Sequence, residues 1–490
     1  MDNSKKEKVD LGDDSYGYEK TAFELNVHEE YTEHELAVIK RAVRKIDLRV
    51  VPIMVLIYIA ALMDRSNIGS ALVNGLRSGL NLSKGEQANV TSIFYIFYII
   101  CEVPSNILLK MFTPHMWFGF IGCAWSLSCI GLAFAKNGTT FILARCFLGA
   151  LEAGLTPGVV GYLQYWYTRS EVAFRMTLFF SAIPISGIIG SPLAGAFAGI
   201  KVGNFLPFQS IFLFEGILTF ILCFAAFFVI QDYPDGAKFF TPEEYDLITR
   251  RLRIDQGVAS KSKVTAKDTL KHLLDWKMWV YAVIYFGINN GYTVISLFAP
   301  TMIKGMGYSG TMSTYLAIIP SVCGLFSMAI VLIFLNKIRY SYMIYAFSSI
   351  SIIFYCLAAF TDGKEVRLFY IGVVGFGSVA NIPVLISWMS VNQGGIYKGM
   401  ISSAVVVSFA SISGAISPHL FVDEYGPKYY MGNSVAIGLI VVSMILTLVM
   451  TMYNKRMNEY RDKNPVDLSN LNEAEQRAMN EHHPNFRYKL

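Results

Sequence analysis

The hydrophobic positions of this chain fall into long runs separated by short polar segments. Apolar runs near 50–74, 89–110, 116–135, 139–164, 175–199 and 208–231 approach or exceed the roughly 20 residues a helix needs to cross a bilayer core. A second series follows near 277–303, 313–335, 343–360, 367–391, 399–421 and 432–453. The pattern predicts an all-α membrane protein with twelve transmembrane helices in two six-helix halves, and a substrate site at the midplane between them. The expected division is an N-terminal tail (1–46), a first half (47–231), a central loop (232–276), a second half (277–453) and a C-terminal tail (454–490). Neither tail shows sustained apolar periodicity, so both read as disordered or weakly helical. Inside the central loop, Thr241-Pro242-Glu243-Glu244 is a helix start, with Thr241 as cap and Glu244 bonding back. Arg250, Arg251 and Arg253 follow on a short amphipathic helix, expected to lie at the inner leaflet and tether the halves.

Composition agrees with the pattern. The chain is 54% hydrophobic and 16% charged with a mean hydropathy of +0.44, far too apolar for a soluble globule. Its net charge of +5 says more about topology than about nucleic acid. Arg41, Arg44, Lys45, Arg49, Lys110, Arg169, Arg175, Lys337, Arg339 and Lys398 fall in one set of flanks and loops, joined by Arg250, Arg251, Lys271, Lys455 and Arg456. The other set is poorer in cations, so the positive-inside bias puts both termini and the central loop in the cytoplasm. The Asn81 and Asn137 sequons then face outward, on loops short enough that chance matches are expected rather than glycans. All seven cysteines sit in apolar segments without metal-ligand spacing, which argues against a metal site or a disulfide framework. No Gly-Lys-Ser/Thr phosphate loop and no soluble catalytic constellation is present, so neither direct ATP use, nor an enzyme, nor a cofactor is expected.

Chemistry concentrates where charge meets membrane depth. Asp64-Arg65-Ser66-Asn67 interrupts the apolar run from Val50 to Val73. Each such charge costs roughly 2.5–3.5 kcal/mol on insertion scales and marks a substrate or ion pathway. A helix stopping at Met63 would be too short to span. Consecutive residues point about 100° apart on a helix, so Asp64 and Arg65 each need a separate partner. Asp64 continues a polar stripe through Asn67 and Asn74, and Arg65 has Ala61 and Gly69 one turn away on either side. A guanidinium with open flanks suits a carboxylate, because it can hold both oxygens at once.

The fourth helix carries Arg145, Gly149, Glu152 and Thr156 on one face. Glu152, among Gly149, Ala153 and Gly154, is the leading proton carrier, with a static ion pair to Arg65 or Arg145 as the alternative. Arg145, about 10 Å away along the helix, is placed near the inner end as a gating or tuning residue. Tyr95, Tyr98 and Glu102 share a face of the second helix, where Glu102 suits a gate between the halves. Asn289, Asn290 and Tyr292 interrupt the seventh helix beside Gly291, where unwinding would expose backbone to a cavity. Asn381 and Trp388 stand two turns apart on the tenth. The expected substrate contacts are Arg65, Asn67, Asn289, Tyr292, Asn381 and Trp388, although helix–helix hydrogen bonding serves the last four equally well.

Several segments together resemble the major facilitator superfamily, and specifically the fungal allantoate-permease and nicotinate-permease-like branch of the anion:cation symporters. They are Tyr58–Ala71 with Asp64-Arg65-Ser66-Asn67-Ile68-Gly69 at its centre, Glu102-Val103-Pro104-Ser105-Asn106, and Arg145–Gly158. Trp166-Tyr167 with Glu171 and Arg175, Phe214-Glu215-Gly216, the Pro234–Glu244 loop and Ser417-Pro418 add to the match. The resemblance implies proton-coupled uptake of a small organic anion at the plasma membrane, with Asp64, Arg65 and Glu152 as the coupling site. The implied partners are the lipid bilayer, protons and a carboxylate such as nicotinate, allantoate or pantothenate, with the protein a monomer. Ser411, where the family usually has Asn, and Lys398-Gly399, in place of Lys-Arg, depart from the pattern and leave the substrate open.

Two other classes compete. A proton-coupled drug antiporter would share the fold, and Gly187-Ile188-Ile189-Gly190-Ser191-Pro192 is reminiscent of an antiporter motif that Ser191 interrupts. Against it, Lys110-Met111-Phe112-Thr113-Pro114 lacks the Gly-Asp-Arg pattern expected there. A non-transporting nutrient sensor would need a longer signalling tail. With two carboxylates near one arginine, a cycle moving two protons is the favoured stoichiometry.

Overall fold

The computed structural model describes residues 31–237, 239–256, 273–335, 337–393, 396–422, 425–464, 484 and 486–490, and its regular elements are helices. Eleven helical stretches among these residues are long and apolar enough to cross a membrane. In the first half the crossing helices are α2 (Val51–Val73), α3 (Lys84–Met111), α4 (Pro114–Ala133), the pair α5 (Gly138–Glu152) and α6 (Leu155–Trp166), the pair α7 (Arg169–Phe180) and α8 (Ala182–Gly199), and α9 (Pro207–Val229). In the second they are α11 (Trp276–Gly305), the pair α12 (Gly310–Leu316) and α13 (Ile318–Phe334), α14 (Tyr340–Phe360), α15 (Lys364–Asn392) and α17 (Tyr430–Lys463). The helix α16 (Ile396–Ile416) completes the series, packed against α3 and α11. Successive crossings alternate in direction, so α1 (Glu33–Arg49), α10 (Pro242–Gln256) and the end of α17 share one face, called here the terminal face.

Local chemistry explains several helix starts. Ser83 and Glu86 form a capping box at the start of α3, and Pro114 and Pro207 occupy the first turns of α4 and α9. Asn137 caps α5, its Oδ1 accepting the Thr140 N–H at 2.9 Å. Close crossings use glycine: a Cβ on Gly149 would overlap the Phe94 carbonyl of α3, and one on Gly69 the Leu297 carbonyl of α11.

The structure departs from the sequence reading at both chain ends. Residues 33–49, assigned mostly to a tail, form α1, capped by Thr32 and Glu35 and burying Val38, Ile39, Ala42, Val43 and Ile46. That stripe is helical in period but too short and too polar on its other face to register as a span. α17 continues ten residues past the expected 453, to Lys463, and residues 486–490 return to bond with α15 and α17. Residues 1–30, 465–483 and 485, the rest of the two tails, and Lys271 lie outside the described residues.

The central helix forms as its motif dictates, with Thr241 N–H donating to Glu244 at 3.0 Å and Glu244 N–H to Thr241 Oγ1 at 3.3 Å. α10 docks on the first half: Lys45 of α1 meets Glu244 at 2.7 Å, and Arg251 pairs with Glu171 of α7. Burial alone would push Glu244 up, but the hydrogen bonds from Lys45 and Thr241 outweigh it and hold the carboxyl below its ordinary range.

Candidate functional site

The side chains of Asp64 and Arg65 diverge from α2 as their spacing requires. Asp64 is fully buried and faces α4, accepting from Trp125 Nε1 at 3.2 Å and Cys129 Sγ at 3.5 Å. Arg65 turns toward α5, where its Nε donates to Glu152 Oε1. The Glu152 side chain has no exposed surface and Arg65 retains 14%, so the pair is sealed on one side and open on the other. The guanidinium lies 4.6 Å from the Tyr98 ring and 5.8 Å from that of Phe94, within cation–π range. Arg65 Nη2 and Glu152 Oε2 are buried without a hydrogen-bond partner.

The open side of Arg65 faces a small cavity between the halves. Tyr58, Arg65, Tyr95 and Thr156 line it from the first half, and Tyr285, Asn289, Tyr292, Ser296 and Ser411 from the second. Arg65 is the single charged side chain among the lining residues. Apart from the Asn289 amide, the rest of the wall is aromatic, hydroxyl-bearing or aliphatic, with Leu62, Ile183, Ile382 and Val407 supplying apolar surface.

Of the sequence candidates, Arg65, Asn289 and Tyr292 line the cavity. Asn289 and Tyr292 do so from a continuous helix, correcting the expected interruption of the seventh span: Tyr285, Asn289, Tyr292 and Ser296 are one regular stripe along α11. Asn67 is buried on α2, with Nδ2 unpartnered, but is not among the lining residues. Asn381 is not among them either, its Nδ2 donating to Ser348 Oγ at 3.1 Å. Trp388 bonds the Lys489 carbonyl and packs on Tyr281, away from the cavity. Both sit on faces of α15 turned to other helices, which helical spacing alone did not distinguish from the cavity face. Gly69 offers no open flank to Arg65, because the α11 backbone occupies that space.

Glu102 is fully buried and accepts a hydrogen bond from Ser408 of α16, across the two halves. Arg145 donates from Nε to the Val90 carbonyl at 3.1 Å and lies 5.0 Å from the Phe94 ring, while its Nη1 and Nη2 have no hydrogen-bond partner. It stands two turns into a span that starts at Gly138 on the face opposite the termini, which reverses its expected place near the inner end. Tyr58 and Tyr285 escaped the sequence reading, though Tyr58 lies two turns before Arg65 on the same helical face.

Known proteins resemble this chain in sequence and in fold. An uncharacterized transporter of Schizosaccharomyces pombe is 29% identical over 454 residues, covering 92% of this chain and 90% of that one. The high-affinity nicotinic acid transporter of Saccharomyces cerevisiae is 27% identical over 464 residues, covering 92% and 84%. A putative tartrate transporter of Agrobacterium vitis is 27% identical over 433 residues, covering 86% and 94%. Among solved structures, a bacterial homolog of the human lysosomal transporter Spinster, inward-facing and unoccupied, superposes with a TM-score of 0.58 at 14% identity, covering 85% of this chain and 96% of that one. The family model of the major facilitator superfamily matches residues 54–418, and this multi-pass membrane transporter belongs to that superfamily.

Proposed function

We propose that the chain imports a small organic monocarboxylate together with one proton, by alternating access at the plasma membrane with both termini in the cytoplasm. The observation that carries this reading is the pairing of Arg65, the cavity's one cation, with the fully buried Glu152. A substrate carboxylate and the Glu152 carboxylate compete for the same guanidinium. Protonation of Glu152 removes the competitor and leaves Arg65 to bind the anion; loss of the proton restores the internal pair and expels the substrate. Coupling then follows from one exchange of partners, because an anion bound beside an ionised Glu152 would share one arginine between two negative charges in a desolvated site.

A single lining cation favours a monocarboxylate over a dicarboxylate. The tyrosines Tyr58, Tyr95, Tyr285 and Tyr292 favour a compact body with flat or apolar surface, held by few polar contacts. The names of the yeast nicotinic acid transporter and the bacterial tartrate transporter both speak for organic anions, and the lining speaks for the former kind. Asp64 faces α4 and is absent from the lining, so the one-proton cycle replaces the two-proton cycle in this proposal. Glu102 and Ser408 serve as a contact between the halves that breaks as the cavity opens. Uptake of labelled monocarboxylates into proteoliposomes under an inward proton gradient tests the reading: accumulation supports it, and efflux-only exchange for protons would favour an antiporter.

A further inference from the structure

Residues 486–490 lie in a built socket at the terminal face of the second half. Two asparagines clamp successive backbone units from different helices. Asn458 of α17 donates from Nδ2 to the Tyr488 carbonyl at 2.8 Å and accepts the Tyr488 N–H at 2.9 Å. Asn392, the last residue of α15, donates to the Lys489 carbonyl at 2.9 Å and accepts the Lys489 N–H at 2.7 Å. Three further donors complete the set: Trp388 Nε1 to the Lys489 carbonyl at 2.9 Å, Tyr340 N–H of α14 to the Leu490 carbonyl at 2.9 Å, and Arg461 Nη1 to the Phe486 carbonyl at 2.6 Å. The Tyr488 side chain is 5% exposed, and Lys277 of α11 reaches its hydroxyl at 3.3 Å.

We infer that this socket is a peptide-binding site whose resident ligand is the chain's own segment Phe486–Leu490, and that its occupancy sets the transport rate. The chemistry is that of strand recognition, since side-chain amides read backbone N–H and C=O groups in pairs while one buried aromatic anchor supplies selectivity. With the segment seated, Asn392 is 3% exposed and Trp388 is fully buried. The segment joins the ends of α11, α14, α15 and α17. α15 also contributes Ile382 to the cavity wall and packs against α7 of the first half, so its end must part from α7 when the terminal face opens. A fastened end moves with its own half as one body; a loose one bends, and the opening motion dissipates in it.

The rate arm of the test rests on the transport reading above, and the exchange arm does not. In the intact chain in nanodiscs, hydrogen exchange at the Tyr488 and Lys489 amides should be protected by at least about tenfold relative to the unstructured rate. The full-length Asn392→Ala/Asn458→Ala variant should lose that protection and lower the maximal uptake rate by at least about threefold, with KM within about twofold. Tyr488→Ala, which leaves every socket residue in place, should do the same and serves if the double variant folds poorly. Unprotected amides in the wild-type chain would overturn the site. Lost protection with unchanged maximal rate would overturn the control of transport. If the wild-type chain carries no carboxylate at all, the transport reading fails while exchange still decides whether the socket is occupied.

Discussion

Arg65 of α2 donates its Nε hydrogen to Glu152 of α5, which makes a buried carboxylate and the cavity's one cation a single unit. The proposed transport cycle is the making and breaking of that bond.

Arg65→Lys keeps the charge but loses the planar fork. Hydrogen bonds to charged groups are worth about 1.5–3 kcal/mol, so carboxylate affinity should fall by at least about tenfold. Calorimetry or equilibrium binding on purified protein measures it; unaltered affinity in Arg65→Ala would remove Arg65 from the binding site.

Glu152→Gln fixes the neutral form of the side chain and leaves Arg65 without its carboxylate competitor. Substrate binding should persist and become independent of pH between about 5 and 8, near-neutral conditions in which a proton-coupling group must titrate. Net proton-driven accumulation should vanish while substrate-for-substrate exchange continues. Acid-stimulated accumulation surviving in this variant would move the coupling proton elsewhere.

With one proton per monoanion the cycle is electroneutral. A cycle carrying one extra proton would gain about 2.3 kcal/mol per 100 mV, close to fiftyfold in concentration ratio. Proteoliposomes with an inside-negative potassium-diffusion potential and no pH gradient should therefore show no added accumulation. Potential-driven uptake would return Asp64 to the exchanging groups.

Two glycines predict different outcomes for the same small substitution. Gly69→Ala meets the Leu297 backbone between the halves, near the ends of α2 and α11 opposite the terminal face. It should hold that face open and raise cysteine labelling there. Gly149→Ala meets the Phe94 backbone within the first half and should destabilise by about 1–3 kcal/mol, seen as a lower Tm.

Lys45 and Glu244 tie α1 to α10. Because the folded carboxyl sits below its ordinary value, the stabilisation is complete at neutral pH and is lost as pH falls through that lowered value. Proteolysis of the 242–256 helix should accelerate only in acid, and Lys45→Ala should accelerate it at neutral pH, by about 1 kcal/mol of lost docking.

Much of this was legible in the chain. Long apolar runs locate the crossings because bilayer thickness sets helix length, and Asp64, Arg65 and Glu152 stand out because charge at that depth is costly. What one sequence could not supply is which face of a helix meets which neighbour. Asn381 and Trp388 have polar atoms at plausible depth, yet their partners are Ser348 and Lys489. Asn289, Asn290 and Tyr292 looked like a helix break because they surround Gly291, although Tyr285, Asn289, Tyr292 and Ser296, spaced by four, three and four, form an unbroken stripe. The 486–490 segment has too few residues to show a period, and its structure comes from partners on α11, α14, α15 and α17.

The exchange of partners at Arg65 is tested most directly by the proton count on binding. In weakly buffered solution near neutral pH, addition of a bound monocarboxylate to purified protein should draw about one proton from solution per ligand, as linkage of the two events requires, and the Glu152→Gln variant should bind without drawing any. Binding by the wild-type protein with no proton uptake, or equal uptake by the variant, would contradict the account.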